Sequence, residues 1–196
     1  MKIAISIIGL CLSLVACKSA KKADLSHEAF PVQMTEFWCS STDDVIRNPR
    51  PLSADSTKLF QIGQNASDTQ FFPYGMWAPD EAHYVYVLYT LEEGIRQFWA
   101  YHYTLADKSF SLPILLAYLD EDEDQIAQRE TIVSDFNGDK QLDFLSNDLI
   151  FYNVIDTLPE DANLDSLSLS VWQNGAFQSL QLSQDSLRSL FHQKVE

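Results

Sequence analysis

From residue 83 onwards, hydrophobic and polar residues follow patterns that predict β-strands. Residues 83–89 are rich in β-branched and aromatic side chains, and a second segment of the same kind runs over 95–104. Glu92-Glu93-Gly94 separates the two segments, so we predict an antiparallel hairpin. Further strands are predicted over residues 110–118, 130–134, 142–145, 149–154, 167–171 and 177–182. Residues 30–75 have no regular period and carry turn signals such as Pro73-Tyr74-Gly75.

The last part of the chain predicts a tight hairpin followed by a helix. Asn174-Gly175 is a two-residue turn that antiparallel strands favour. Ser183 or Asp185 can cap the helix that follows. Its apolar residues recur at helical spacing, which places three of them on one face: Leu187, Leu190 and Phe191. The predicted fold class is therefore mainly β, with antiparallel hairpins in a propeller-blade-like or sandwich arrangement and one C-terminal helix.

The N-terminus has the features of a secretory signal peptide. Met1-Lys2 is positively charged, residues 3–16 are mostly apolar, and Cys17 follows directly. The apolar run is shorter than the roughly 20 residues that a membrane-spanning helix needs. The segment is therefore expected to direct export and to be removed.

Leu14-Val15-Ala16-Cys17 resembles the lipobox of bacterial lipoproteins. The resemblance implies that the chain is cut before Cys17, that the Cys17 thiol takes a diacylglycerol, and that the new amine takes a further acyl chain such as palmitate. Two or more acyl chains are what stable anchoring in a lipid bilayer requires. The alternative is an ordinary cleaved signal with a chance cysteine. We predict a signal peptide at 1–16, a lipidated tether at 17–29 and a single β-rich domain at 30–196.

The residues after the acylated cysteine carry information on the membrane. Lipoproteins of enteric-type bacteria with Asp at this position stay in the inner membrane, whereas Lys18 stands here. Residues 18–23 are basic, whereas known surface-export signals are acidic. The resemblance therefore implies a cell-envelope protein that is lipid-anchored in the outer membrane, at its periplasmic face.

The chain is acidic, with a formal net charge of −15 over 196 residues. Such a surface repels phosphate backbones, so a nucleic acid is not expected as a partner. The charge favours divalent cations or basic partners and keeps the domain soluble, and we expect a monomer. Of the three cysteines, Cys11 leaves with the signal and Cys17 is acylated. Cys39 is then a free thiol, an intermolecular pairing site, a nucleophile or a buried packing residue, of which packing is favoured.

Residues 135–143 carry a motif with a defined chemistry. Oxygen-bearing side chains occupy positions 1, 3, 5 and 9 of this loop, and the residue at position 7 can offer its main-chain carbonyl. Hard cations such as Ca²⁺ take about six to eight oxygen ligands, and this spacing wraps a turn around one ion. Phe136 and Leu142 are expected to pack against the core. The predicted ligands of one Ca²⁺ are Asp135, Asn137, Asp139, Gln141 and Asp143.

Residues 132–145, with the sequence Ile-Val-Ser-Asp-Phe-Asn-Gly-Asp-Lys-Gln-Leu-Asp-Phe-Leu, resemble the calcium loop of FG-GAP and VCBS repeat proteins. The resemblance implies a strand on each side of the loop and the same five ligands. Lys140 stands where that family usually has Gly, and a left-handed conformation costs a non-Gly residue about 1 kcal/mol. Ser146 stands where an EF-hand has Glu, which disfavours an EF-hand. The alternative is a polar hairpin without an ion.

Two weaker acidic patterns repeat part of this spacing. Neither has the full set of later ligands, so each is interpreted as a solvated turn, with a second ion as the alternative. Their residues are Asp120, Asp122 and Asp124 in one pattern, and Asp161, Asn163 and Asp165 in the other.

The sequence contains no G-x-S-x-G, no H-E-x-x-H and no glycine-rich phosphate loop. The aromatic residues of the two central strands are interpreted as core rather than as a sugar-stacking platform. We therefore predict a non-enzymatic, calcium-stabilised β module that binds a protein or a glycan. The alternative is a small cell-envelope hydrolase acting on glycan or wall polymers, which would need two close carboxylates in a cleft.

Overall fold

The computed structural model describes residues 30, 33–40, 50–60, 69–92, 95–121, 125–152 and 164–195. The predicted signal peptide and tether, with Cys17, lie outside these residues. Neither helix in these residues has the length and apolar character of a membrane-spanning segment.

Ten strands and two helices make up the described part of the chain. The strands are β1 Phe37–Cys39, β2 Gln70–Asp80, β3 His83–Glu92, β4 Ile95–Thr104, β5 Ser109–Phe110, β6 Ile114–Glu121, β7 Gln125–Ser134, β8 Asp143–Tyr152, β9 Leu164–Gln173 and β10 Ala176–Leu180. The helices are α1 Ala54–Phe60 and α2 Gln184–Val195. The strands form one sheet in the order β10-β9-β8-β7-β6-β4-β3-β2, with β1 beside β7 and β5 beside β4. All nine strand pairs are antiparallel.

The predicted fold class is confirmed: the protein is mainly β, with antiparallel hairpins and a C-terminal helix. Asn174 and Gly175 join β9 to β10 with φ angles of 52° and 79°, as the favoured two-residue turn requires. Ser183 caps α2, because its hydroxyl accepts the N–H of Ser186 at 3.3 Å. The turn chemistry read from the sequence therefore holds at this end of the chain.

The prediction of an irregular segment over residues 30–75 was wrong in part. Pro73 and Gly75 lie inside β2 rather than in a turn, and the strand accommodates them by a shift of its register against β3. α1 also falls in this segment, and Ser53 caps it by accepting the N–H of Ser56. A helix of seven residues shows too little of the 3.6-residue period to be recognised.

Several predicted strand boundaries also differ from the structure; β7, for example, begins at Gln125 rather than at residue 130. Two further differences change how the strands are divided. The segment 110–118 is divided between β5 and β6, with Pro113 in the gap. Residues 142–145 and 149–154 were predicted as separate strands, but β8 runs without a break from Asp143 to Tyr152. Its polar residues, at Ser146-Asn147-Asp148, pair with β7 and β9 in regular register.

Residues 33–39 bring two distant parts of the sheet together. β1 pairs with β7, while Gln33 forms a parallel bridge with Met76 of β2. The N–H of Met34 donates to the Met76 carbonyl at 2.7 Å. Backbone pairing therefore runs from β2 through β3, β4, β6 and β7 and returns to β2 through this segment. The sheet is open in its strand order but curled, so that residues 33–39 link β2 to β7, and β8, β9 and β10 extend from β7.

The inner face of the curled sheet holds an aromatic core. Trp77 of β2 meets Phe144 of β8 edge to face, with 5.9 Å between the ring centroids. Phe177 of β10 stacks on Phe144 at 4.2 Å. One sheet therefore supplies both sides of the core, in place of the two sheets of a sandwich. Cys39 is buried in this core, which confirms the packing interpretation.

The two helices cover separate parts of the outer face. Phe60 of α1 packs edge to face on Tyr86 and Tyr101 of the central strands. Leu187 of α2 lies in a cluster with Leu169 of β9. The predicted core role of the strand aromatics is confirmed, since they are buried or packed against this cluster around Phe60: Tyr84, Tyr86, Trp99, Tyr101 and Tyr103.

The close contact between residues 33–39 and β2 can be tested by substitution of Gly75. A Cβ added there would lie 2.3 Å from the Met34 Sδ, so Gly75→Ala should overpack the contact and cost about 1–3 kcal/mol. In Gly75→Ala/Met34→Ala the clash is absent. The double variant should therefore be at least about 1 kcal/mol more stable than the sum of the single effects predicts, measured by urea unfolding.

Gly138→Ala is the matched control. An added Cβ at Gly138 meets no atom within 4 Å, and its φ of +80° makes the substitution costly by strain alone. Its effect should add to that of Met34→Ala without coupling. Additivity of Gly75→Ala with Met34→Ala would contradict the close approach.

Candidate metal site

The acidic loop joins the end of β7 to the start of β8. Ser134, the last residue of β7, pairs with Asp143, the first residue of β8. Both flanks are therefore strands, as predicted. Phe136 packs in the cluster under α2, and Leu142 packs against the inner core, so the loop is anchored on both faces of the sheet.

Asp135 organises the first half of the loop. One oxygen of its carboxylate accepts the N–H of Gly138 at 2.7 Å, and the other accepts the N–H of Lys140 at 2.9 Å. Gly138 and Lys140 have φ angles of 80° and 69°. The expected left-handed conformation of Lys140 is therefore present, at a cost of about 1 kcal/mol for a residue with a Cβ.

Asn137 and Asp139 close the outer part of the loop. The Asn137 Oδ1 accepts the N–H of Asp139 at 3.0 Å, and the Asp139 Oδ1 accepts the N–H of Gln141 at 2.8 Å. The Asn137 side-chain amide also donates to the Asp139 Oδ2 at 3.0 Å. The side-chain oxygens predicted as ligands thus hold the loop backbone, while the Gln141 carbonyl remains a predicted ligand.

Asp143 is the buried member of the set, with 0% of its surface exposed. Its two oxygens accept the N–H of Phe136 at 3.1 Å and the N–H of Trp172 on β9 at 2.9 Å. Burial raises the pKa of the Asp143 carboxyl, and the nearby Asp139 and Asp135 carboxylates raise it further, against these two hydrogen bonds. Among the described residues, no Lys, Arg or His forms an ion pair with Asp143.

The donor types in the loop fit Ca²⁺, but their placement is not that of a closed ligand shell. In the part of the chain that the structure describes, no three His, Cys, Asp or Glu side chains are placed to hold a metal ion. Carboxylate oxygens have more than one lone pair, so a cation can share oxygens that already accept N–H groups. The calcium site therefore stays a prediction, and a bound ion would have to draw the three carboxylates together.

Behind Asp143 lies a polar cluster that the sequence did not predict. The Nδ1 of His83 hydrogen-bonds to both oxygens of Asp80, at 2.7 and 2.8 Å. The His83 and His102 rings lie 5.1 Å apart, and both contact the Trp172 ring. Burial lowers the pKa of His102, which is 9% exposed. No sequence signal marks this cluster, because the curl of the sheet brings β9 onto β3 and β4.

Glu36 connects the loop entry to α2. The Ser134 hydroxyl donates to the Glu36 Oε1 at 2.6 Å. Lys194 donates to both Glu36 oxygens, at 3.1 and 3.2 Å, and its Nζ lies 5.9 Å from the centroid of the Phe136 ring. These hydrogen bonds, from Ser134 first and then from Lys194, lower the pKa of Glu36. The Glu36 carboxylate, in the segment before β1, therefore bonds both to the start of the loop and to the end of α2.

The weaker acidic patterns are only partly described. Asp120 lies exposed on β6, and Asp165 of β9 faces Arg188 of α2 at 3.7 Å. Asp122, Asp124, Asp161 and Asn163 lie outside the described residues. The interpretation of these patterns as solvated turns, with a second ion as the alternative, therefore stays a prediction.

No protein-family model matches the chain, and comparisons with curated proteins and with solved structures also give no match. The resemblances to the lipobox and to the FG-GAP and VCBS calcium loop therefore rest on the residues of this chain alone.

The strain at Lys140 predicts a stabilising substitution. Lys140→Gly should raise the free energy of unfolding by up to about 1 kcal/mol, because Gly adopts a positive φ without a Cβ penalty. Lys108, in the turn before β5, has a φ of 50° and offers a matched control. Lys108→Gly should stabilise to a similar extent in urea unfolding. A destabilised Lys140→Gly beside a stabilised Lys108→Gly would show that the Lys140 side chain itself supports the loop.

Proposed function

We propose that this chain is a cell-envelope lipoprotein, anchored in the outer membrane at its periplasmic face through acylated Cys17. Its domain would be a non-enzymatic, calcium-stabilised β module that binds a protein or a glycan. The anchor rests on residues 14–17, and the module rests on the curled sheet with its acidic loop.

The observation that carries the calcium proposal is the burial of Asp143. A buried carboxylate without a cationic partner is costly, and Asp135 and Asp139 add two further negative charges nearby. A divalent cation held by Asp135, Asn137, Asp139, Gln141 and Asp143 would offset this repulsion. Because Asp143 also accepts the N–H of Trp172, an ion there would stabilise the junction between the loop and β9.

The hydrolase alternative receives less support from the described residues. A glycosidase needs one carboxyl group with a raised pKa as general acid and a second carboxylate about 5–10 Å away. Asp143 has a raised pKa and two acidic neighbours, but its carboxyl is fully buried and is not accessible to a polymer. Glu36, in the segment before β1, has a lowered pKa and an ion pair with Lys194. A group held in its ionised form is unsuited to donate a proton at neutral pH.

The anchor proposal predicts that Cys17→Ser releases the protein from the membrane fraction, because the thiol that would carry the diacylglycerol is gone. Cys11→Ser is the control, since Cys11 precedes the predicted cut and should leave the protein membrane-bound. Fractionation with metabolic labelling by palmitate measures both properties. Retention of Cys17→Ser in the membrane fraction, or labelling of it, would contradict the proposal.

The calcium proposal predicts a metal-dependent melting temperature. Extracellular sites of this type bind with a Kd of about 10⁻⁴ to 10⁻³ M. Ca²⁺ at about ten times its Kd should add about 1.4 kcal/mol, which corresponds to a rise of about 3–6 °C for a domain of this size. Chelation should reverse the rise. Differential scanning calorimetry and titration calorimetry give the shift and the Kd.

Asp139→Ala removes a ligand from the middle of the loop and should abolish the calcium-dependent rise. Asp107→Ala, a substitution of an exposed Asp outside the loop, should leave the rise unchanged. Lys140→Gly should enlarge it by relieving the backbone and removing a positive charge. A wild-type melting temperature that millimolar Ca²⁺ does not move, with no heat of binding, would falsify the calcium proposal.

A further inference from the structure

A shallow cleft of about 180 Å³ opens on the outer face of the sheet, where β1, β7 and the end of α2 meet. Its polar lining is Glu36, Ser134 and Lys194, and its apolar lining includes Trp38 and Ile132. Ile132 pairs with Leu145, which packs in the cluster under α2. The cleft is therefore a gap between the helix and β1, with a packed sheet as its floor.

Trp38 is the most exposed aromatic side chain among the described residues, at 47%. It lies opposite Ile132 in the β1–β7 pair, while Phe37 and Cys39 face the inner core. Because side chains alternate along a strand, the two core residues hold the backbone and leave the indole at the surface. An exposed indole beside a cleft provides a flat apolar surface with a polar N–H at its edge.

Two serine–glutamate hydrogen bonds across the β1–β7 pair stand on either side of Trp38. On one side the Ser134 hydroxyl donates to Glu36 at 2.6 Å, and on the other the Ser40 hydroxyl donates to Glu130 at 3.1 Å. Residues 36 and 40 are four apart, which separates these pairs by about 13 Å along the strand. The indole thus lies midway between two carboxylates that are held in place.

Both carboxylates already have donors. Glu36 accepts Lys194, and Glu130 accepts the side-chain amide of Gln128 at 2.5 Å. Each carboxylate keeps lone pairs that can accept further hydrogen bonds. Lys194 offsets the charge of Glu36, so a ligand of the cleft does not have to be cationic. The lining instead favours a ligand that both donates and accepts hydrogen bonds.

We infer that this cleft is a saccharide-binding site, in which Trp38 stacks on the C–H face of a sugar ring and Glu36 in the cleft accepts hydroxyl groups of that sugar, while Glu130, beyond the indole on the other side, accepts hydroxyl groups of the neighbouring unit of an oligosaccharide. The inference rests on the proposed binding role of the domain and gives it a place and a ligand class. The C–H groups of a sugar ring carry partial positive charge and suit the negative face of an indole. A neutral polyhydroxylated ligand also avoids the repulsion that an acidic polymer would meet on this protein.

The test is binding of the purified full-length protein to a panel of oligosaccharides. The panel contains glucose, mannose, galactose and N-acetylglucosamine oligomers, and binding is read by tryptophan fluorescence and titration calorimetry. Trp38→Ala should weaken binding of the best oligosaccharide at least tenfold, whereas Trp38→Phe should retain part of it. Glu36→Gln should weaken it several-fold, because the amide changes the pattern of donors and acceptors.

Phe151→Ala is the matched control, since Phe151 is an exposed aromatic residue on β8, at 42%. It should leave saccharide binding unchanged, and the melting temperature of each variant shows whether it is folded. Saccharide binding that Trp38→Ala leaves intact would overturn the assignment of the cleft while keeping the proposed glycan role. Failure of the whole panel to bind would overturn the saccharide inference, whereas an intact calcium-dependent melting shift would keep the calcium module.

A basic peptide is included as a competing ligand. Binding of oligolysine that is lost in Trp38→Ala, without any saccharide binding, would assign the cleft to a cationic protein partner and overturn the saccharide inference. Such a result would still agree with the broader proposal of a binding module.

Discussion

The constraint on which the rest of the structure depends is the double pairing of residues 33–39. This segment bonds to β2 through Gln33 and Met34 and to β7 through β1, so it holds two strands that are far apart in the sheet order. Without it, the aromatic residues of the inner face would line an open sheet that exposes them on one side. Gly75 allows the close approach, because a side chain at that position would occupy the space of Met34.

Asp143 is the second junction, and it links three parts of the chain through one buried carboxylate. It ends the acidic loop, accepts the N–H of Phe136 within that loop, and accepts the N–H of Trp172 on the neighbouring strand. Trp172 in turn packs against His83 and His102 from the other side of the curled sheet. The charge of Asp143, and any cation bound at the loop, would therefore affect the position of Trp172. The contacts of Trp172 with His83 and His102 hold the two sides of the core together.

The loop and the cleft share structural elements. Ser134 is the residue before the loop and also the hydrogen-bond donor to Glu36, while Lys194 contacts both Glu36 and the Phe136 ring. An ion that rigidifies the loop would thus also steady the wall of the cleft. Under the proposed function, such an ion would act structurally, since a shallow site gains affinity when its walls are ordered before the ligand arrives.

Sequence alone determined the features that depend on neighbours along the chain. Asn174-Gly175 marks a turn because both residues accept a positive φ, Ser183 marks a helix start by its hydroxyl, and the alternation over 95–104 marks a strand. The acidic loop and the left-handed conformation of Lys140 also depend on neighbouring residues, so the sequence predicted them. Only the tertiary structure decided that Pro73 and Gly75 belong to a strand, that His83 and His102 meet, and that Trp38 lies between Glu36 and Glu130. These features arise from contacts between residues that are tens of positions apart in the chain. The register of those contacts depends on the curl of the whole sheet, so no periodic pattern in the sequence predicts it.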